Sequence, residues 1–301
     1  MMEEVDAELR RLGAAIFARP LRAIGLVSKR CGVYGFLPLG TGPLALPETP
    51  GQKLYRRVFA WYDARYGDCL KIRLGPGSSV VLLRGDPWRM RFPLIYGTFS
   101  VSCIRPGDSA EGLPGRLLNV LDYIEALTPD LAARLSNEEC VALCQFFVST
   151  GQTLSDLRDS SGVGFLEHAS ADLQTSTDHI FSHPAAYGMS KWSSLQAAEK
   201  ALKSILAVEK LPIPFIHDLS TLSNSLPRPI LGLSEATVSD VECPASVRYG
   251  NPSVSLEESV AAHHAALKIV RLAIDELMAM KQAAWKAAQR GGGHPSAEGP
   301  P

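Results

Sequence analysis

The chain has 301 residues, of which 46% are hydrophobic and 20% are charged. This composition is typical of a globular protein and excludes a chain that is largely disordered. The formal net charge is −1 at pH 7, so the chain as a whole has no charge excess that would draw it to nucleic acid or to an anionic membrane surface.

The sequence leads us to expect neither a membrane-spanning helix nor a secretory signal. No stretch approaches the roughly 18 consecutive apolar residues of a membrane-spanning helix. The segment from Met1 to Asp6 is acidic and lacks the basic region and apolar core of a secretory signal, so we expect a cytoplasmic protein. The six cysteines form no Cys-x-x-Cys pair, and we expect them to be reduced and buried rather than to bind zinc.

The first half of the chain mixes helical and strand patterns. Apolar spacing over residues 3–19 predicts an amphipathic helix that Pro20 ends, and the Gly- and Pro-rich stretch 32–50 predicts a loop. Short β-prone runs then predict a small antiparallel sheet. Its strands are predicted at 68–74, 79–83 and 99–104, and further helices at 117–126 and 138–157. Residues 1–158 are therefore predicted to form one α+β domain.

The second half of the chain is helical. The polar, Gly-containing segment 159–164 is predicted to separate two domains. Apolar stripes then predict helices at 190–208, from about 216 and at 256–280. These lengths predict an all-α helical bundle over residues 165–286. Residues 287–301 are predicted to be a disordered tail.

Three short segments of this bundle resemble, in order, the signature segments of HEPN domains. They are Gln196 to Lys203, His217-Asp218-Leu219 and Arg248-Tyr249. The resemblance covers about residues 172–285. It implies a HEPN-like helical bundle that forms a homodimer, often beside a partner protein encoded nearby and in a prokaryotic defence or toxin–antitoxin system.

The ribonuclease motif of the HEPN family is missing. HEPN ribonucleases carry Arg, a spacer of four to six residues and His, on the last helix or just before it. Here the histidine that follows Arg248 is His263, fifteen positions on. Residues 172–289 also hold ten Lys or Arg against twelve Asp or Glu, which disfavours RNA binding through phosphate contacts. The resemblance therefore implies a non-nuclease member that binds a partner protein or a nucleotide-like ligand, with no cofactor or metal expected.

Candidate ligand-binding residues come from the three segments and from the last helix. They are Lys200, Lys203, His217, Asp218, Arg248, Tyr249 and His263. Each also has a purely structural interpretation: solvated lysines, a helix cap, a loop fastened to the bundle, or a histidine hydrogen-bonded inside it. An RNA-processing enzyme with an atypical site made of Arg248, Tyr249 and His263 is one alternative function.

A second alternative is a nucleic-acid-binding adaptor that uses residues 56–91. This segment has eight basic residues against three acidic ones, with aromatic residues between them. Basic and aromatic surfaces bind single strands by charge and stacking. The candidates for this role are Arg84, Trp88, Arg89 and Arg91. His179 and His183 are spaced as a two-histidine metal pair, but no third ligand follows, so we expect no metal there.

Overall fold

The structure is a computed structural model that is mostly helical, and it describes residues 1–33, 49–70, 75–109 and 116–291. Its contacts divide the chain into two compact units. The first unit is Met1–Leu74 and the second unit is Gly75–Pro301. Each unit builds its core from its own hydrophobic residues.

The described part of the first unit is helical. Its elements are α1 (Met2–Arg11), α2 (Arg19–Cys31) and α3 (Pro50–Tyr66), with 3₁₀ helices at Ile16–Ala18 and Gly67–Leu70. The prediction of one helix over residues 3–19 is wrong, because Gly13 turns the chain with a φ of 70°. Pro20 does not end a helix but lies in the first turn of α2, where its missing N–H would have had no intrahelical partner.

Helix α3 begins with a capping box. The Thr49 hydroxyl accepts from the Gln52 backbone N–H at 3.3 Å, and the Gln52 side chain accepts from the Thr49 N–H at 2.9 Å. Most of the loop predicted at 32–50 lies outside the described residues. The strand predicted at 68–74 is wrong in its described part, which is a 3₁₀ turn, and residues 71–74 lie outside the description.

The strands in the described residues of the second unit form two small pairs. They are β1 (Gly77–Leu83), β2 (Asp86–Phe92), β3 (Ser100–Ser102) and β4 (Leu117–Asn119). β1 and β2 are antiparallel with Leu83 opposite Asp86, as a two-residue turn with positive φ at Arg84 and Gly85 requires. β3 and β4 pair in parallel. The helix predicted at 117–126 is therefore wrong: this segment is β4 followed by a 3₁₀ helix, Val120–Tyr123.

The other regular elements in the described part of the second unit are helices. They are α4 (Pro129–Ala133), α5 (Asn137–Asp159), α6 (Leu166–Ile180), α7 (Tyr187–Val208), α8 (Leu219–Asn224), α9 (Glu235–Val241) and α10 (Leu256–Gly291), with a 3₁₀ helix at Ala245–Tyr249. The helix predicted at 138–157 is confirmed as α5. The bundle helices predicted from apolar spacing are present as α7, α8 and α10.

The predicted division of the chain differs from the structural one. The segment 159–164 is a tight turn between α5 and α6, and the hydrophobic core runs without interruption across it, from Phe92 and Phe147 to Leu195 and Ile269. A polar, Gly-containing turn is therefore compatible with two helices that share one core. The strand pairs thus belong with the helices that follow them rather than with the N-terminal helices.

The last helix is longer than predicted. α10 continues through residues 287–291, which were expected to begin a disordered tail. The physical reason is composition, since residues 282–289 contain four alanines, two glutamines and a lysine, all strong helix formers. Residues 292–301 lie outside the described part of the chain.

Candidate functional site

Helix α7 is the central scaffold of the second unit, because it packs against both α6 and α10. Gly188, in its first turn, contacts the backbone of Val247 directly. A Cβ at Gly188 would lie less than 3.0 Å from the Val247 carbonyl oxygen, a distance that real Cβ atoms essentially never show. This close approach brings the 3₁₀ helix Ala245–Tyr249 onto α7, and Arg248 and Tyr249 with it.

Arg248 lies close to two aromatic rings. Its guanidinium carbon is 4.6 Å from the centre of the Trp192 ring and 5.5 Å from that of Tyr249. Its Nε donates to the Ala245 carbonyl oxygen at 3.0 Å. Within the described part of the chain, no group accepts a hydrogen bond from its two terminal nitrogens. The fork of the guanidinium is therefore held in place and remains available to a ligand.

His217 contacts the same tryptophan. The two ring centres are 5.6 Å apart in an edge-on arrangement. The Nδ1 atom of His217 is 2.7 Å from Glu199 Oε2. Because a carboxylate only accepts, Nδ1 donates this hydrogen bond, and in an imidazole protonated only at Nδ1 the second nitrogen, Nε2, is an acceptor. The side chain is 61% exposed, so a ligand can reach this second nitrogen.

Glu199 and Lys203 support the site from inside. Lys203 Nζ donates to Glu199 Oε1 at 2.6 Å and to the Ile216 carbonyl oxygen at 3.1 Å. Both residues are buried. Lys203 was a candidate ligand-binding residue, but its donors are directed to internal acceptors. It neutralises the carboxylate that orients His217.

Lys200 and Asp218 lie outside this cluster. Lys200 pairs with Asp172 at 2.5 Å. Burial raises the pKa of the Asp172 carboxyl, even though Lys200 pulls it down. The Asp218 side chain accepts from the Thr221 backbone N–H and caps α8. Asp218 is therefore the helix cap of its structural interpretation, whereas Lys200 forms an ion pair rather than lying on a solvated face.

His263 is not a surface residue. Its side chain is fully buried, with Nε2 2.8 Å from the Ser79 hydroxyl and Nδ1 3.1 Å from the Ser176 hydroxyl. Ser176 continues the network to Ser190 and Ser194 of α7, at 3.0 and 2.8 Å. Burial, together with a smaller effect of the neighbouring His264, lowers the pKa of His263 to about 3. A neutral, enclosed imidazole that joins β1, α6, α7 and α10 is a core group and cannot touch a ligand at the Trp192 surface.

The candidates for nucleic-acid binding in β1 and β2 are already engaged with neighbouring groups. Arg89 bonds Asp178 at 2.6 Å, and its guanidinium carbon lies 4.6 Å from the centre of the Phe181 ring. Arg91 pairs with Glu125, and Arg84 lies 3.8 Å from Glu139 and bonds a backbone carbonyl. Trp88 packs against the hydrophobic core. This part of the basic segment has little free charge or open ring face to offer a phosphate backbone.

Other candidate chemistries have little support. In the described ranges, no group of three His, Cys, Asp or Glu side chains could hold a metal ion.

Cys31 and Cys69 are exposed, contrary to the expectation that all cysteines are buried, because they lie at helix ends of the small first unit. The Cys103 and Cys140 sulfurs are 2.6 Å apart, and burial raises the pKa of the Cys103 thiol. No helix within the described residues has the length and apolarity needed to span a bilayer.

Three members of the site were not predicted from the sequence. Trp192, Glu199 and Gly188 all lie in α7, and of the three only Glu199 belongs to a HEPN-like segment. The spacing of Glu199 and Lys203, four residues apart on a helix, is a signal for an ion pair. No signal in the sequence indicates that His217 and Arg248 meet at Trp192, because those contacts join segments that are far apart in the chain.

Comparisons with known proteins give no relative to this chain: no family model, no curated protein and no solved structure matches it.

Proposed function

We propose that the second unit is a HEPN-like module without nuclease activity, and that it binds a nucleotide-like ligand at the surface around Trp192. One observation carries the proposal. The Arg248 guanidinium is held against Trp192, while no described residue accepts from its terminal nitrogens. A planar fork of this kind binds phosphate oxygens in a bidentate manner.

Two further groups favour a nucleotide over a simple anion. Tyr249 is 82% exposed beside Arg248 and offers a ring face on which a base can stack. The accessible Nε2 of His217 can accept from a base amino group or a sugar hydroxyl. A phosphate, a flat base and a hydroxyl are the parts of a nucleotide. A peptide carboxylate would use only Arg248, so the full set of groups favours the nucleotide over a protein segment.

The HEPN resemblance supports the same proposal. Arg248, Tyr249 and His217 come from two of its three segments, and the third lies on α7, which supports them. The atypical ribonuclease is disfavoured, because His263 is buried in the core while Arg248 is at the surface. Homodimerisation through the bundle, a cytoplasmic setting and a defence or toxin–antitoxin context are the parts of the proposal that rest on the resemblance or the composition alone.

Calorimetric titration of the full chain with AMP, ATP and inorganic phosphate tests the proposal. Losing a charge-assisted hydrogen bond costs about 1.5–3 kcal/mol, so Arg248→Gln should weaken nucleotide binding by roughly 10- to 100-fold. Tyr249→Ala should weaken AMP but not inorganic phosphate. Arg134→Gln, which removes an exposed arginine elsewhere in the unit, is the matched control. Equal nucleotide affinity for the wild type and Arg248→Gln would refute the proposed site.

The homodimer has its own test. Light scattering at micromolar concentrations should give twice the mass of the 32.5 kDa chain. A strict monomer over that range would remove this part of the proposal without touching the nucleotide site, whose residues all belong to one chain.

A further inference from the structure

The two units of this protein have opposite charge. Residues 1–74 contain twelve Lys or Arg against seven Asp or Glu, a net charge of +5. The rest of the chain contains eighteen basic and twenty-four acidic residues, a net charge of −6. The overall charge of −1 therefore hides a basic first unit. A local excess of this kind is the electrostatic signature of a surface that binds a polyanion.

The acidic residues of α1 form ion pairs with only some of the basic residues of the first unit. Glu4 and Glu8 pair with Arg30 at 3.7 and 2.7 Å, and Glu3 lies 3.9 Å from Arg65. Asp6 is buried and pairs with Arg19 at 3.4 Å. Among the described residues, the basic side chains that remain without an ion pair are Arg11 on α1, Arg22 and Lys29 on α2, and Lys53 and Arg57 on α3.

Helix α3 presents an exposed face that is basic and narrow. The face consists of Lys53, Arg56, Arg57, Ala60 and Ala64, at spacings of three, one, three and four residues. We call it the α3 basic face. Its opposite side is anchored in the core of the unit through Val58 and Tyr62. The long basic side chains lie toward the start of the helix. In its second half the exposed face carries only the small side chains of Ala60 and Ala64.

We propose that the first unit binds double-stranded DNA, with the α3 basic face lying in the major groove. The major groove is about 12 Å wide and admits an α-helix. Seventeen residues make α3 about 25 Å long, enough to cross it. In this arrangement Lys53 and Arg57 contact the phosphates. Ala60 and Ala64 lie against the base edges, where an alanine methyl can contact thymine methyls. The proposal concerns a different unit from the nucleotide site and does not depend on it.

The aromatic residues of α3 favour a duplex over a single strand. Single-strand binding uses exposed rings on which bases stack. Tyr55 and Phe59 stack on each other with ring centres 4.4 Å apart, Tyr62 is buried, and Trp61 packs against Tyr62 and Arg65. None of the α3 rings is fully exposed. Double-stranded RNA is disfavoured because its deep, narrow major groove does not admit a helix.

The test is fluorescence anisotropy of the full chain with a mixed-sequence DNA duplex, its single strand and the matching RNA duplex, at several salt concentrations. We expect the DNA duplex to bind tightest. Each lost phosphate contact lowers the salt dependence of log K by about 0.9, so Lys53→Gln with Arg57→Gln should lower the slope by about 1.8. The same double substitution at the exposed α10 residues Lys281 and Lys286 is the control and should change nothing.

A second pair of variants separates the helix face from overall charge. Ala60→Glu places a bulky anion on the α3 basic face and should abolish duplex binding, while Ala283→Glu makes the same change on α10 and should have no effect. Removing the exposed Asp63 charge with Asp63→Asn should tighten binding. Each variant must unfold at the same temperature as the wild type, so that a change in binding does not reflect a loss of folded protein. No duplex binding at low salt, tighter binding of the single strand or of the RNA duplex, or equal effects of Ala60→Glu and Ala283→Glu would each overturn the proposal.

Discussion

The guanidinium carbon of Arg248 lies 4.6 Å from the centre of the Trp192 ring, and this contact holds the arginine of the last signature segment against the central helix. A cation–π contact at an accessible site contributes about 0.5–1 kcal/mol. Its larger effect is to restrict the rotamers of a long side chain before any ligand arrives.

Replacing Trp192 should therefore weaken binding even though Arg248 is still present. We expect Trp192→Leu to reduce AMP affinity several-fold, by releasing Arg248 and by removing the ring that His217 contacts. Trp192→Phe, which keeps an aromatic face, should retain most of the affinity. Calorimetric titration distinguishes the two variants. If Trp192→Leu binds AMP as well as Trp192→Phe does, the ring does not position the arginine.

Gly188 should tolerate no side chain. Gly188→Ala would push the Val247 carbonyl away from α7, and overpacking of this kind costs about 1–3 kcal/mol. The shift should also displace Arg248 and Tyr249 and weaken nucleotide binding. Gly162→Ala is the control, since a Cβ there would meet nothing within 4 Å and φ is not positive. Equal unfolding free energies for the two variants in urea would contradict this prediction.

Glu199 is a buried carboxylate that serves both Lys203 and His217, so removing it alone should be costly. Glu199→Leu leaves the Lys203 charge buried without its partner, for which we expect a loss of about 3 kcal/mol of unfolding free energy. Glu199→Leu combined with Lys203→Met removes both charges and should recover most of that loss. Urea unfolding measures both variants. A double variant no more stable than the single one would show that the pair acts through packing rather than charge.

The buried histidines should make stability fall on mild acidification. The folded-state pKa of His263 is about 3 and that of His264 is also lowered, against an ordinary value near 6.5 in the unfolded chain. Below pH 6.5 the unfolded state therefore binds protons that the folded state does not. The contribution of these histidines to the unfolding free energy is therefore fully present above pH 6.5. For each histidine, it falls by about 1.4 kcal/mol per pH unit as the pH drops toward the pKa of the folded state.

The histidine contribution can be isolated by substitution. His263→Gln keeps a polar group near Ser79 and Ser176 but cannot titrate, so its unfolding free energy should depend less steeply on pH than that of the wild type between pH 6.5 and 5. The slope is the informative quantity, because the substitution lowers absolute stability at every pH. Parallel slopes for the two proteins would mean that His263 does not remain neutral in the folded state.

The sequence predicted elements that local rules determine. Helix α5 was found because apolar residues recur at helical spacing, and its start at Asn137 carries a capping box from Ser136 to Glu139. Strand β2 is not among the predicted strands, because it begins with Asp86 and Pro87, residue types that are depleted in strands, although the turn occupies only Arg84 and Gly85. The helix predicted at 117–126 failed for a tertiary reason: the Asn119 side chain bonds both backbone groups of Ile104 and fixes this segment beside another strand.

For the candidate site, too, the sequence indicates which residues to consider but not which tertiary contacts they make. The motif resemblance selects His217, Arg248 and Tyr249 together with Lys203 and Asp218, and the pattern of the last helix adds His263. The side chains of Lys203, Asp218 and His263 prove to bond other groups of the same chain. Which of these side chains point outward depends on what packs against α7. The excess of basic residues near the N-terminus can be counted in the sequence. Only the structural boundary at residue 74 shows that Arg84, Arg89 and Arg91 belong to the other unit.

The most direct test of the nucleotide site is nuclear magnetic resonance of the tryptophan indole N–H groups. The chain has four tryptophans, at 61, 88, 192 and 285, so four signals are expected, and Trp192→Phe assigns one of them. Addition of ATP should shift the Trp192 signal and leave those of Trp61, Trp88 and Trp285 in place, and the shift should disappear in Arg248→Gln. An unmoved Trp192 signal at saturating ATP, or a shift that persists in Arg248→Gln, would contradict the account.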